Sequence, residues 1–267
     1  MRIPGAAMLL LVLALPVSAA PQVDEIPAAP APDLTVNLTT AAIVTGSELV
    51  LIATGMAQKG RLVPDECRWC VPPQLDTWAR QLLVWPDTAP AEKGSNALQL
   101  VIPVGAVTTL WIWAAPHGNR QVAEDLLVVT EAATTTMLLT MVAKVATVRL
   151  RPFALESSDP NPPYNIMSFW SGHTSFAFAV AGASTQIARL RGRSGWKWLA
   201  VATFAAAGLT GYLRIAADQH WLTDVVTGAA VGTAVGLALP VLVMRPAEGK
   251  RPPVTLAPSP GGLALVF

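Results

Sequence analysis

Residues 97–115 run for 19 positions without a charged side chain. A helix of that length reaches about 30 Å, the thickness of a bilayer's hydrocarbon core. Similar apolar runs follow at 126–148, 173–188, 196–217 and 222–244, each interrupted by no more than two charged or histidine side chains. At that depth every backbone N–H and C=O must find its partner within the protein, and a helix satisfies them inside one segment. The expected fold class is therefore all-α, a polytopic membrane helical bundle. Composition agrees: 52% of residues are hydrophobic and only 13% charged, with a mean hydropathy of +0.47. A net charge of +1 provides no broad basic surface, so nucleic acid is not an expected partner.

The number of spans depends on how the chain begins. Residues 1–20 read as a secretory signal: Arg2, an apolar stretch over 6–15, then small residues at Ser18 and Ala20 that suit cleavage after Ala20. An uncleaved anchor is the alternative. Residues 21–34 form a linker rich in proline and alanine. Residues 35–58 are apolar but carry Asn37, Ser47 and Glu48; they read either as a first membrane helix or as an amphipathic segment on the bilayer. The expected membrane domain is 35–247, with five or six membrane helices, and the proline-rich tail 248–267 is expected to be disordered. Arg189, Arg191, Arg193 and Lys197 share one connection, and Arg245, Lys250 and Arg251 follow the last run. The positive-inside rule puts both in the cytoplasm. Residues 144–173 and 214–224 then lie together on the opposite side. A cleaved signal and a full crossing by 35–58 conflict, because cleavage leaves the start of that segment outside the cytoplasm.

The chemistry-bearing residues fall in those two regions. His220 and Asp224 are four apart, which places them on one face if a helix begins there. An aspartate so placed accepts one imidazole proton and leaves the other nitrogen free as a nucleophile. Arg214, six residues earlier, suits a phosphate oxygen. Lys144 and Arg151 are seven apart, two turns if both are helical, so that two cations project the same way. In Ser168-Phe-Trp-Ser-Gly-His-Thr-Ser175, Ser171 or Gly172 is placed to cap a helix whose first N–H groups would face an anion.

Taken together, these three segments resemble the type 2 phosphatidic acid phosphatase superfamily, whose pattern is K-x6-R-P, then P-S-G-H, then S-R-x5-H-x3-D. Lys144, Arg151 and Pro152 match the first motif; Ser171, Gly172 and His173 match the second, with Trp170 in place of proline; Arg214, His220 and Asp224 match the third, with Leu213 in place of serine. The resemblance covers roughly residues 144–244. It implies a six-helix core in a bacterial inner membrane, and the charge distribution above then puts the active site on the extracytoplasmic face. It also implies roles. His220 attacks phosphorus, Asp224 orients it and His173 protonates the leaving oxygen. Lys144, Arg151, Arg214, Ser171 and Gly172 cradle the phosphate. No metal and no cofactor are expected, because three cations neutralise the charge. The implied partner is a lipid phosphate: phosphatidate, phosphatidylglycerophosphate or a polyprenyl diphosphate. A lipid phosphotransferase and a non-catalytic lipid-binding scaffold are the competing readings, and the oligomeric state is open.

Three further features lie outside those motifs. Cys67 and Cys70 form a C-x-x-C pair in a polar loop expected outside the cytoplasm, where a local disulfide is the default. Glu48 and Glu131 sit within apolar runs and are expected to face the bundle. Gly228, Gly232 and Gly236 recur at a spacing that lets two helices approach closely.

Overall fold

The structure is a computed structural model that describes residues 33–155 and 162–247, with the backbone of 255–259 and 262–266. The expected signal and nearly all of the linker lie outside the described residues. Nine α-helices are described: α1 (Leu38–Ala57), α2 (Lys59–Leu62), α3 (Gln74–Leu83), α4 (Ala89–Ala114), α5 (Asn119–Thr147), α6 (Pro162–Asn165), α7 (Gly172–Leu190), α8 (Trp196–Ala216) and α9 (Leu222–Val243). Of these, α1, α4, α5, α8 and α9 are long and apolar enough to cross a membrane. The sixth long helix, α7, is buried at the centre against α4, α5, α8 and α9. A helix with no lipid-facing side can carry polar groups on several faces, and α7 contains Ser184, Thr185 and Gln186. The chain is thus the expected all-α membrane bundle.

Its six long helices alternate in direction. At one end Arg191, just past α7, donates to Asp125 and Glu124 near the start of α5 and to the carbonyl of Leu34 before α1. Leu34 lies in β1 (Leu34–Thr35), which pairs antiparallel with β2 (Arg245–Pro246) after α9. This is the arginine end. The opposite end gathers the last turn of α5, the first of α7, the last of α8 and the first of α9. Segment 35–58 runs the full way between them beside α5: Glu48 accepts from the hydroxyls of Thr134 and Thr135, and Gly55 meets Met141. The segment is helical, long and apolar enough to cross a membrane, and starts at the arginine end.

Two stretches differ from expectation. Residues 59–96, the stretch expected from the sequence as the polar loop that carries Cys67 and Cys70, contain α2, α3 and the first two turns of α4. Hydropathy misses these turns because Glu92, Lys93, Ser95 and Asn96 face protein and solvent instead of lipid. In the tail, Thr255–Ser259 (β3) and Gly262–Val266 (β4) pair antiparallel where disorder was expected. The sequence places apolar residues on both sides of Pro260-Gly261-Gly262, a pattern that favours a hairpin.

The closest helix contact is α7 against α9. A Cβ added to Gly228, Gly232 or Gly236 would sit 2.8, 2.2 or 2.4 Å from the carbonyl oxygens of Ser171, Ser175 and Ala179 respectively. Only glycine allows backbones this near, and the contact registers the start of α7 against the start of α9.

Candidate active site

Lys144 occupies the last turn of α5, but Arg151 is not on the same helix. α5 stops at Thr147, and Val148 takes a left-handed backbone with φ 45°. That conformation costs a β-branched residue about 1–3 kcal/mol and persists only where neighbours over-determine it. Here the Val148 carbonyl accepts from the N–H groups of Arg68 and Trp69, and its side chain is fully buried. The chain beyond then turns, so the two-turn helical spacing does not apply. The cations converge all the same: Lys144 Nζ donates to the Met167 carbonyl at 2.6 Å, and Arg151 Nη2 to the same oxygen at 3.3 Å. Arg151 also donates to the carbonyls of Tyr164 and Gln219, both at 2.9 Å. Arg214, in the last turn of α8, donates to Ser95 Oγ and Gln219 Oε1, each at 3.3 Å. In these contacts all three cations spend their hydrogen bonds on neutral oxygens.

His220 and Asp224 also meet in a way the spacing did not anticipate. α9 begins at Leu222, so His220 lies before the helix, and Asp224 occupies its first turn. Asp224 Oδ2 folds back to cap the Trp221 N–H at 3.0 Å and lies 3.5 Å from His220 Nδ1. On the far ring edge, Arg151 Nη1 is 3.4 Å from Nε2. A guanidinium has no acceptor, so Nε2 must accept, and the proton belongs on Nδ1, facing Asp224. Burial, reinforced by the cations Arg151, Lys144 and Arg214, holds the His220 pKa well below the ordinary imidazole value. The ring is neutral, with its Nε2 lone pair toward the cations.

Ser171 is the N-cap of α7; its hydroxyl accepts from the Thr174 N–H at 3.4 Å and from the Thr174 hydroxyl at 2.9 Å. It is fully buried, behind Gly172 and His173. His173 Nε2 is 2.9 Å from Asn96 Oδ1. Trp170 sits where the resemblance has proline, and donates to Thr140 Oγ1 at 2.7 Å. It ties the loop to α5 by a hydrogen bond in place of a fixed φ.

Lys144, Arg151, Gly172, His173, Arg214 and His220 line one cavity of about 260 Å³. Its remaining wall is largely apolar, with Ile52 and Met56 from α1 and Met137 and Met141 from α5. A larger cleft of about 990 Å³ opens at the arginine end, but its walls hold no histidine or cysteine, so the smaller cavity is the candidate site.

Several residues of the site escaped the sequence reading. Arg149, 1% exposed, donates to Asp224, Asp76 and Thr223 and lies 3.8 Å over the ring of Trp69. Ser168 donates to Asp224, and Asp76 accepts from the Thr223 N–H at 2.8 Å. A second arginine in Lys144–Arg151 was the available signal for Arg149. Nothing in the sequence pairs it with Asp76, 73 positions away. Cys67 and Cys70 have their sulfurs at bonding distance, and their loop lies along residues 148–150 through Trp69. No predicted site residue other than this pair lies away from the cavity or its backing layer.

Residues 125–247 match the sequence profile of the PAP2 superfamily. A segment of 69 residues is 44% identical to a lipid A 1-phosphatase of Porphyromonas gingivalis; it makes up 26% of this chain and 15% of that protein. Two solved structures are similar in outline. LpxE of Aquifex aeolicus has 20% identity and a TM-score of 0.47, over 62% of this chain and 94% of its own. A transmembrane PAP2-type phosphatidylglycerolphosphate phosphatase from Bacillus subtilis has 19% identity and a TM-score of 0.44, over 76% and 94%.

Proposed function

We propose, from the premise that residues 125–247 belong to the PAP2 superfamily, that this membrane protein hydrolyses the phosphate ester or diphosphate of a lipid through a phosphohistidine on His220. The observation that carries the reading is the His220 environment: Nε2 faces the Arg151 guanidinium, which assigns it the lone pair, while Asp224 lies behind Nδ1. His220 Nε2 attacks phosphorus as the P–O bond to the lipid breaks, and His173, protonated once the phosphate anion is bound beside it, gives that proton to the departing oxygen. His173, now neutral, takes a proton from the water that cleaves the phosphohistidine. Lys144, Arg151, Arg214 and the Gly172 N–H stabilise the equatorial oxygens, with the Ser171 cap fixing the turn behind them. Three cations supply the neutralisation that metal ions give elsewhere, so the reaction proceeds without one.

The apolar wall of Ile52, Met56, Met137 and Met141 suits the first part of an acyl or prenyl chain. The local likeness to a lipid A 1-phosphatase adds a phosphorylated glycolipid to phosphatidate, phosphatidylglycerophosphate and polyprenyl diphosphate as substrates to test. The arginine-rich connection 189–197 and the basic residues after α9 support a cytoplasmic arginine end and, with it, a cavity on the extracytoplasmic face of the inner membrane.

The test is a labelled lipid phosphate. Label should remain on the protein in an acid-labile, base-stable form, and His220→Ala should abolish both labelling and phosphate release. His173→Ala should lose about 10²–10⁴-fold in turnover yet still label with an activated leaving group. Wild-type turnover in His220→Ala ends the reading.

A further inference from the structure

Helix α3 has three faces. At about 100° per residue, Asp76, Ala79, Arg80 and Leu83 fall on one side, and all are buried or half-buried. Leu75, Trp78 and Leu82 fall on a second, and their large apolar side chains are exposed, Trp78 by 57% and Leu82 by 62%. Gln74, Thr77 and Gln81 occupy the third. The exposed apolar side continues into Val71 before the helix and Trp85 after it. Trp85 donates through Nε1 to the hydroxyl of Tyr212 at 3.0 Å and through its backbone to the Ala216 carbonyl at 3.1 Å. Tyr212 stands in the last full turn of the spanning helix α8, next to the exposed Leu209. Tryptophan and tyrosine gather where hydrocarbon meets head groups. The apolar side of α3 thus extends the lipid-facing surface of α8 at the level of that aromatic pair.

The inner side of α3 grips the segment that carries His220. Arg80 makes a two-pronged pair with Asp218 at 2.8 and 2.7 Å, two residues before the histidine. Asp76 accepts from the Thr223 N–H and hydroxyl, three residues after it, and pairs with Arg149, which in turn pairs with Asp224.

We propose that α3 lies in the head-group layer of the bilayer that the bundle crosses, with Leu75, Trp78 and Leu82 inserted into it, and that this anchorage holds the His220 segment in place through Asp76 and Arg80. Lipid is the occupant because the surface is continuous with that of a spanning helix and because polar and apolar sides are separated as an interfacial helix requires. Asp76 and Arg80 are positioning residues: neither lines the cavity.

The experiment needs no catalytic readout, so it stands or falls separately from the proposed function. Benzoylphenylalanine is placed at position 82 or at position 81, and the protein is put into nanodiscs of phosphatidylethanolamine and phosphatidylglycerol. Illumination should attach lipid at position 82 and not at position 81. Adducts to a second polypeptide, or equal lipid yields at both positions, overturn the membrane placement. In the second arm, hydrogen exchange is followed in the Trp78→Ser/Leu82→Ser variant. Amides of Gln219, His220 and Thr223, which donate to Arg214 O, Arg214 O and Asp76 Oδ1, should lose protection, while those of α7 keep theirs. Unchanged protection in residues 219–223 overturns the anchoring role even if the cross-link forms, and equal loss in α7 overturns it as general unfolding.

Discussion

Replacing Gly232 by alanine tests whether the approach of α9 to α7 sets the geometry of the site. The added Cβ would lie 2.2 Å from the Ser175 carbonyl oxygen and 2.9 Å from its carbon, both backbone atoms of a buried helix. Real Cβ contacts essentially never fall below 3.0 Å, so the helices must separate by about 0.8 Å at this point. Neither side has a flexible side chain that could yield instead. Overpacking of this kind costs about 1–3 kcal/mol, while alanine regains roughly 1 kcal/mol of helix propensity over glycine. The net stability change is therefore small to moderate. The catalytic effect should be larger: α7 carries His173 and α9 carries Asp224, and a misplacement near 1 Å is worth about 10²-fold in rate. Phosphate release from a lipid phosphate at saturating substrate should fall about 10²-fold, with thermal unfolding in detergent only modestly earlier. Gly208→Ala in α8, where nothing lies within 4 Å of the new Cβ, is the control and should match wild type in both. Wild-type turnover in Gly232→Ala would show that the α7–α9 spacing does not govern the site.

Activity should survive EDTA; complete loss restored by magnesium would overturn the three-cation cradle. Because burial and the surrounding cations depress the His220 pKa, the proposed nucleophile stays neutral through mildly acidic solution. The acid limb of kcat/KM should therefore lie below about 6.5, the free imidazole value, and a midpoint at or above it contradicts the environment described. Mass spectrometry of unreduced, alkylated protein should find Cys67 and Cys70 unmodified and two protons lighter; two alkylated thiols would remove the disulfide.

The membrane bundle was legible because 97–115 and its companion runs leave helices as the only way to satisfy backbone in lipid. Most of the cavity was legible too, because Lys144, Arg151, His173, Arg214 and His220 lie near the ends of such runs. How they meet was not. Sequence spacing suggested one helix for Lys144 and Arg151 and another for His220 and Asp224. The left-handed turn at Val148 and the start of α9 at Leu222 break both. The contacts survive because Met167 O and the Trp221 cap draw the partners together. Arg149 with Asp76, and Asn96 with His173, were invisible for a different reason: each joins the motif region to a segment whose polarity marked it only as loop.

The three cradle cations rest on carbonyl and amide oxygens, chiefly of Met167, Ser168, Tyr164 and Gln219, and not on carboxylates. Cations held in this way by neutral dipoles make an electrostatic well for an anion. Substrate loses little on entry, since dipoles and not competing anions give way. Exit is asymmetric. The lipid alcohol leaves as a neutral group along an apolar wall, whereas inorganic phosphate must climb out of a well built for its charge. Under the proposed function, departure of phosphate is the slow, reversible end of the cycle, and added inorganic phosphate should slow turnover.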